Sequence, residues 1–303
     1  FYNIFQEEMF NDLCEADKIG KGFQTIRERD CNLVSNIFID GCIENAKSVT
    51  QGGTNTYIAV GLLIGISNVI DSLSVTKQLI FDEKRITMEQ LIDALRNNWN
   101  GFEDLREYIL KEGLFFGNDD DCSNDIANRF FKSLDHWNTG DNYLKKPLVF
   151  GNLIGYNEHH KFFGNNTKAT PDGRFDGDMI NFGIGQSEGK DRNGLTALLS
   201  SVAKCDPCSV LTGPSVTNVL LDEQLVKKDE NFEKLVYLFE AYFKMGGTHF
   251  QLTYVSKEDL INAKKTPDKY KNLRVRVSGF SDYFVFLNEG LQDEIIQRTT
   301  HAR

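Results

Sequence analysis

The chain shows two hydrophobic rhythms. In residues 87–99, TMEQLIDALRNNW, apolar side chains recur at three- and four-residue spacing behind Thr87 and Gln90, the pattern of a capping box. A helix beginning at Thr87 is predicted. Residues 256–265, SKEDLINAKK, repeat the signal with Ser256 and Asp259, and Pro267 lies just beyond the expected end. Residues 231–247, NFEKLVYLFEAYFKMGG, predict a longer helix with Asn231 as N-cap and Gly246 as stop. NGLTALLSSVAK reads as a helix entered from Asn193. The second rhythm has period two. THFQLTYVS puts Phe250, Leu252 and Tyr254 on one face, and LRVRVS does the same with Leu273, Val275 and Val277. Helices interleaved with short strands predict an α/β fold.

Between about residues 113 and 195 both rhythms weaken, and stretches rich in Gly, Asn and Asp take over. Such segments read as loops on a scaffold, where function concentrates. A boundary near residue 165 is expected, giving parts 1–165 and 166–303. The longest apolar run, YIAVGLLIGISNVI at 57–70, is too short and interrupted to span a bilayer and reads as buried core.

Charge narrows the function classes. With 44 acidic and 34 basic residues the formal net charge is −10, which argues against general binding to nucleic acid or anionic membranes. No secretory signal is visible, and six cysteines scattered through 303 residues do not read as a disulfide scaffold. A reducing cytoplasm is the expected compartment. The first residue is Phe1, so a processed chain or a fragment is expected.

Several short motifs carry candidate chemistry, and most have a plain reading. CDPC at 205–208 has redox spacing but lacks a second Cys or His pair, and two thiols in a turn made by Pro207 is preferred. His159 and His160 are adjacent, so they point apart and chelate poorly. GNDDDCSND lacks the spaced ligands of a calcium loop and reads as an acidic cap on the next helix. GIGQSEG is no dinucleotide fingerprint. GCIEN sets the Cys42 thiol two residues from Glu44, and a buried small thiol with an exposed Glu is the favoured reading over nucleophilic or acid/base work.

One stretch remains, LRVRVSGFSDYFVFL at 273–287, where a glycine interrupts good strand formers. RVSGF, followed by LQDEIIQRT, resembles the C-terminal signature of the glycyl radical enzymes. GGTNTYIAVGLLIGISNVI, YILKEGLFFGNDDD, TPDGRFDG and GLTALLSSVAK are similar to segments of that family, in its order, so the resemblance runs from about Leu33 to the C-terminus. It implies the C-terminal part of a ten-stranded α/β barrel of two antiparallel half-barrels with a central glycine-radical loop. Residues 1–165 would belong to the pyruvate formate-lyase-like barrel and 166–303 to the glycine radical domain.

The resemblance also implies that Gly279 stores a radical. Loss of a Cα hydrogen leaves an electron delocalised over the flanking amides, which needs a planar centre, and glycine reaches it without strain from a Cβ. One departure is Phe280, where the family usually has Tyr. Cys42 resembles a later Cys-x-Glu segment of the family rather than its thiyl loop, because Asn45 stands where that loop has Pro. The thiyl cysteine is therefore expected outside this sequence, in a missing N-terminal half or a partner. No bound cofactor or metal is expected: an S-adenosylmethionine-dependent iron–sulfur activating enzyme would install the radical. The expected activity is anaerobic cleavage of a C–O, C–N or C–C bond in a small polar substrate, of dehydratase or lyase type, in a homodimer. The alternatives are a pyruvate formate-lyase-type acyltransferase and a non-enzymatic spare-part subunit that donates its radical.

Overall fold

The computed structural model describes residues 1–27, 33–55, 59–134, 148–151, 159–181, 183–205, 216–227, 229–277 and 279–301. The chain forms two compact units, Phe1–Gly61 with Lys132–Val149, and Leu62–Phe131 with Phe150–Arg303.

In the first unit, helices α1 (Tyr2–Arg27) and α2 (Leu33–Asn36) precede a tight loop system. A 3-10 turn at Val49–Gln51 is closed by a reciprocal box in which Ser48 Oγ accepts from Gln51 N–H and Gln51 Oε1 accepts from Ser48 N–H. Gly53 follows at so close an approach that a Cβ would overlap the carbonyl oxygen of Lys47. Strands β1 (Ala59–Leu62) and β2 (Leu148–Gly151) pair with each other.

The second unit opens with α3 (Ile66–Thr76), which runs into a π-helical turn at Lys77–Asp82, then α4 (Met88–Arg96), α5 (Glu103–Glu112) and α6 (Asp121–Lys132). The expected capping box of α4 is present in full, with Thr87 Oγ1 and Gln90 Oε1 each accepting the other's backbone N–H. Helices α3, α4 and α5 close over Trp99, which is 1 % exposed and packs with Val75, Leu79, Leu91, Ile109 and Phe115. The acidic run caps α6 as expected: Asp120 Oδ1 accepts from Ser123 N–H at 2.9 Å.

The run at 57–70 is not one core segment. Gly65 takes a left-handed φ of 77° and starts α3, where Ile66 and Ile70 are buried, while Leu62 is 51 % exposed. The left-handed residue breaks the strand rhythm and restarts the chain as a helix.

After α7 (His159–Asn165) come α8 (Gly194–Lys204), β3 (Thr217–Leu221), α9 (Glu223–Val226), α10 (Asp229–Lys244), β4 (Phe250–Tyr254), α11 (Lys257–Lys265), β5 (Arg274–Arg276), β6 (Ser281–Tyr283), α12 (Glu289–Gln297) and β7 (Thr300–His301). Strand β3 is central and parallel to both β4 and β7, with Asn218 opposite Gln251 and Leu221 opposite His301. All five of its residues are buried, as parallel strands covered on both faces require. Mixed helix and parallel sheet give the expected α/β class.

Three local expectations change. Helix α10 begins at Asp229, so Asn231 lies in its first turn, and Asp229 and Glu230 set negative charge at that end. Asn193 precedes α8 but makes no side-chain cap; its amide donates to the Asn118 carbonyl at 2.9 Å. In β4 the apolar Leu252 and Tyr254 face outward and the polar Gln251 and Thr253 are buried. That inversion has a cause in the adjoining hairpin.

Among the described residues, no helix is long and apolar enough to cross a membrane.

Candidate functional site

Strands β5 and β6 form an antiparallel hairpin, pairing Arg274 with Tyr283, Val275 with Asp282 and Arg276 with Ser281. Its inner face carries Val275 and Val277, buried against Leu260, Phe284, Leu291 and Ile295, with Phe280 packed partly buried on the same cluster. The Phe280 ring thus serves packing, where a hydroxyl is not needed. Val277 N–H donates to the Phe280 carbonyl at 3.0 Å, closing the tip around Gly279. Gly279 has a φ of 76°, in the left-handed region where glycine alone is unstrained, and it is exposed.

Both peptide groups of Gly279 are held. Its N–H donates to Gln251 Oε1 at 2.9 Å, and its carbonyl accepts from Arg276 Nη2 at 3.0 Å. Arg276 Nε donates to the same Gln251 oxygen at 3.3 Å. Thr253 Oγ1 accepts from Arg276 N–H and donates to the Arg276 carbonyl, each at 3.2 Å. Gln251 and Thr253 therefore face inward because they replace a backbone ladder between β4 and the hairpin. Burial and the positive charge of Arg276 both push the His249 imidazole below its usual range, toward its neutral form.

A second support comes from the C-terminal helix. Arg298 is 1 % exposed and donates to the carbonyls of Arg276 at 3.1 Å and Val277 at 3.2 Å. Its remaining donors form a two-pronged pair with Glu294, at 3.0 and 3.1 Å. Burial pushes the nearby Glu188 carboxyl well above the carboxylate range, and the charge of Glu294 adds to this while Arg298 opposes it.

TPDGR helps to line a polar cleft of about 530 Å³, whose walls include Asn68, Asp172, Arg174, Lys190 and Glu294. Arg174 donates to the carbonyls of Thr167, Lys168 and Asp178 and pins this loop, while Trp99 Nε1 donates to the Arg174 carbonyl at 3.1 Å. Lys190 lies 2.8 Å from Asp172 and 4.0 Å from Asp71, both carboxylates fully buried. Burial pushes Asp71 up to about 6, with Lys190 opposing and Asp172 adding. Burial also acts on Asp172, but Lys190 and hydrogen bonds from Thr170 and Asn68 outweigh it and hold that carboxyl low.

Cys42 is 4 % exposed in a turn where Glu44 Oε2 accepts from Gly41 N–H at 3.0 Å. Cys205 is buried, and desolvation pushes its thiol up to about 12, so it is no thiolate nucleophile. Its CDPC partner Cys208, and the side chains of His159 and His160, lie outside the described residues. Among the described residues no group of three or more His, Cys, Asp or Glu side chains could hold a metal. Sequence reasoning missed Gln251 and Arg298. A polar residue in the middle of the FQLTY strand was the available signal for Gln251; nothing local marked Arg298.

Residues 14–146 match the pyruvate formate lyase-like family, and residues 180–285, which include Gly279, match the glycine radical family. The chain belongs to the glycyl radical enzyme family. Within that family it is 35% identical over 275 residues to the trans-4-hydroxy-L-proline dehydratase of Clostridioides difficile, covering 89% of this chain and 34% of that protein. It is 34% identical over 247 residues to the isethionate sulfite-lyase of Bilophila wadsworthia, covering 78% of this chain and 29% of that one. The glycerol-bound B12-independent glycerol dehydratase of Clostridium butyricum superposes with a TM-score of 0.78 at 31% identity, over 87% of this chain and 33% of that structure. The chain spans about a third of the length of these glycyl radical enzymes.

Proposed function

We propose that this chain is the radical-storing portion of a glycyl radical lyase, with Gly279 carrying the radical. The observation that carries the reading is the hairpin tip: a left-handed, exposed glycine inside the glycine radical match, with both of its peptide groups hydrogen-bonded. Activation breaks one Gly279 Cα–H bond homolytically. The hydrogen atom goes to a carbon-centred radical generated from S-adenosylmethionine by an iron–sulfur activating enzyme, and the unpaired electron stays on Gly279.

The named activities of the relatives, dehydratase and sulfite-lyase, favour anaerobic cleavage of a C–O or C–heteroatom bond in a small polar substrate over acyl transfer. In this reading residues 1–165 belong to the barrel part and 166–303 to the radical domain. The cysteine that relays the radical to substrate is supplied by polypeptide corresponding to the rest of the relatives' length, in the cytoplasm of an anaerobic cell and within a homodimer. Cys42 serves packing, which its burial beneath a tight turn supports.

The test is electron paramagnetic resonance after anaerobic activation. A glycine-centred doublet is expected, and admission of oxygen should cut the chain at residue 279. Gly279→Ala should lose both, whereas Cys42→Ala should keep both. A doublet that survives in Gly279→Ala overturns the assignment.

A further inference from the structure

Resting on that reading, we propose that Gln251 and Arg276 are positioning residues for the radical centre, polarising in opposite senses the two peptide groups that meet at the Gly279 Cα. A carbon radical between an amide nitrogen and a carbonyl is stabilised when the nitrogen gives electron density and the carbonyl withdraws it. Gly279 N–H donates to Gln251 Oε1, which enriches the nitrogen. Arg276 Nη2 donates to the Gly279 carbonyl, which strengthens its pull, and a cationic donor does this more strongly than a neutral one. The two bonds act in the same direction on one atom.

The amide orientation of Gln251 is dictated by its surroundings. Gly279 N–H and Arg276 Nε both point donors at it, so its oxygen must face them; the flipped amide would set donor against donor. Gln251 is 4 % exposed on β4 and in register with Asn218 of the central strand, which makes it a fixed post. Arg276 holds the carbonyl through a long, flexible stem. Flattening at Cα turns the carbonyl side away from the closed-shell φ of 76°, and the two holders suit that motion: one stays with the N–H while the other follows the carbonyl.

Two readouts test this on the full protein with its activating enzyme. Hyperfine splitting of the doublet reports spin density on Cα, and loss of the signal under a small thiol reports how readily the radical takes back hydrogen. Gln251→Leu and Arg276→Met are each expected to widen the splitting and to shorten the radical's lifetime, about tenfold for Arg276→Met, the size a charge-assisted hydrogen bond exerts on an equilibrium, and by less for Gln251→Leu, whose bond to the Gly279 N–H is neutral. Arg276→Lys, which keeps the charge, should stay near the wild type, and Gln251→Glu, which keeps an acceptor and makes it anionic, should neither widen the splitting nor shorten the lifetime. In the unactivated protein, Gln251→Leu should speed exchange of the Gly279 amide proton. Unchanged splitting and lifetime in both truncated variants, or unchanged amide exchange, overturns the inference while leaving Gly279 as the radical site. A wild-type doublet that is absent, or that survives in Gly279→Ala, overturns the reading beneath it.

Discussion

Arg298 Nη2 donates to the Val277 carbonyl at 3.2 Å, which fastens the end of the C-terminal helix to the strand that leads into the Gly279 tip. The guanidinium is buried with Glu294, itself 3 % exposed, so its removal strands a carboxylate and the Val277 carbonyl in the interior and takes one of two donors from the Arg276 carbonyl. Breaking such a pair costs about 3–5 kcal/mol, whereas replacing both members with neutral groups recovers much of that. Arg298→Met should therefore lower the denaturant midpoint sharply, and Arg298→Met with Glu294→Gln should restore most of the loss. A single variant as stable as the wild type would show that the latch carries no weight.

Gly279 separates backbone strain from radical chemistry. At a φ of 76°, the left-handed conformation costs an alanine about 1–2 kcal/mol, while asparagine tolerates it better. Urea unfolding should rank the wild type above Gly279→Asn, and Gly279→Asn above Gly279→Ala. Neither variant should yield a doublet, because any Cβ opposes a planar centre, so stability and radical capacity should part company in Gly279→Asn.

Much of the scaffold was legible, and the exceptions share a physical cause. Thr87, Gln90, Ser256 and Asp259 announced two helix starts because capping is local and uses residues three apart. The strand containing Phe250, Leu252 and Tyr254 was equally visible, but its inward face was not. Gln251 and Thr253 are buried because Arg276 and Gly279, later in the chain on the hairpin, need partners there. The position of Gly279 followed from a family signature, while its holders depend on tertiary pairing. Arg298 is the extreme case: an ordinary helical Arg by pattern, it is buried because Glu294 and the carbonyls of Arg276 and Val277 all accept from it.

The cluster of Asp71, Asp172 and Lys190 should give unfolding stability a marked pH dependence of known sign. Asp71 sits at about 6 in the fold against 3.8 when exposed, so its contribution is present below pH 4 and is lost as pH rises through 6. That loss amounts to about 3 kcal/mol. Asp172, held low, has the opposite sign and contributes above pH 4. Asp71→Asn keeps an acceptor for Phe116 N–H, now at 2.8 Å, and removes the titration. Denaturant titrations at pH 5 and 7 should differ less in Asp71→Asn than in the wild type; an equal difference would exclude Asp71 as the source.

The turn around Cys42 offers the remaining prediction, because glycines rather than hydrophobic mass hold it shut. At Gly53 an added Cβ would overlap the Lys47 carbonyl oxygen and meet its carbon at 2.7 Å and the Ser48 carbonyl oxygen at 3.0 Å. All three are backbone atoms, so no side-chain rotation relieves the clash. Gly53→Ala must displace the Lys47–Ser48 backbone and strain the bonds that Gly53 makes to Ser48 and Asn45, each 2.9 Å. Cys42 lies at the start of that loop and is 4 % exposed, with Lys47 N–H donating to its carbonyl at 3.1 Å. Local opening easier by about 1.4 kcal/mol exposes the thiol about tenfold more often. Alkylation of Cys42 in native buffer at pH 8 should accelerate by that factor in Gly53→Ala. Cys205, whose thiol is pushed by burial to about 12, should remain unlabelled in both proteins until they unfold. Equal Cys42 rates would mean that the turn yields without opening, and acceleration at both cysteines would mean that Gly53→Ala loosens the whole chain.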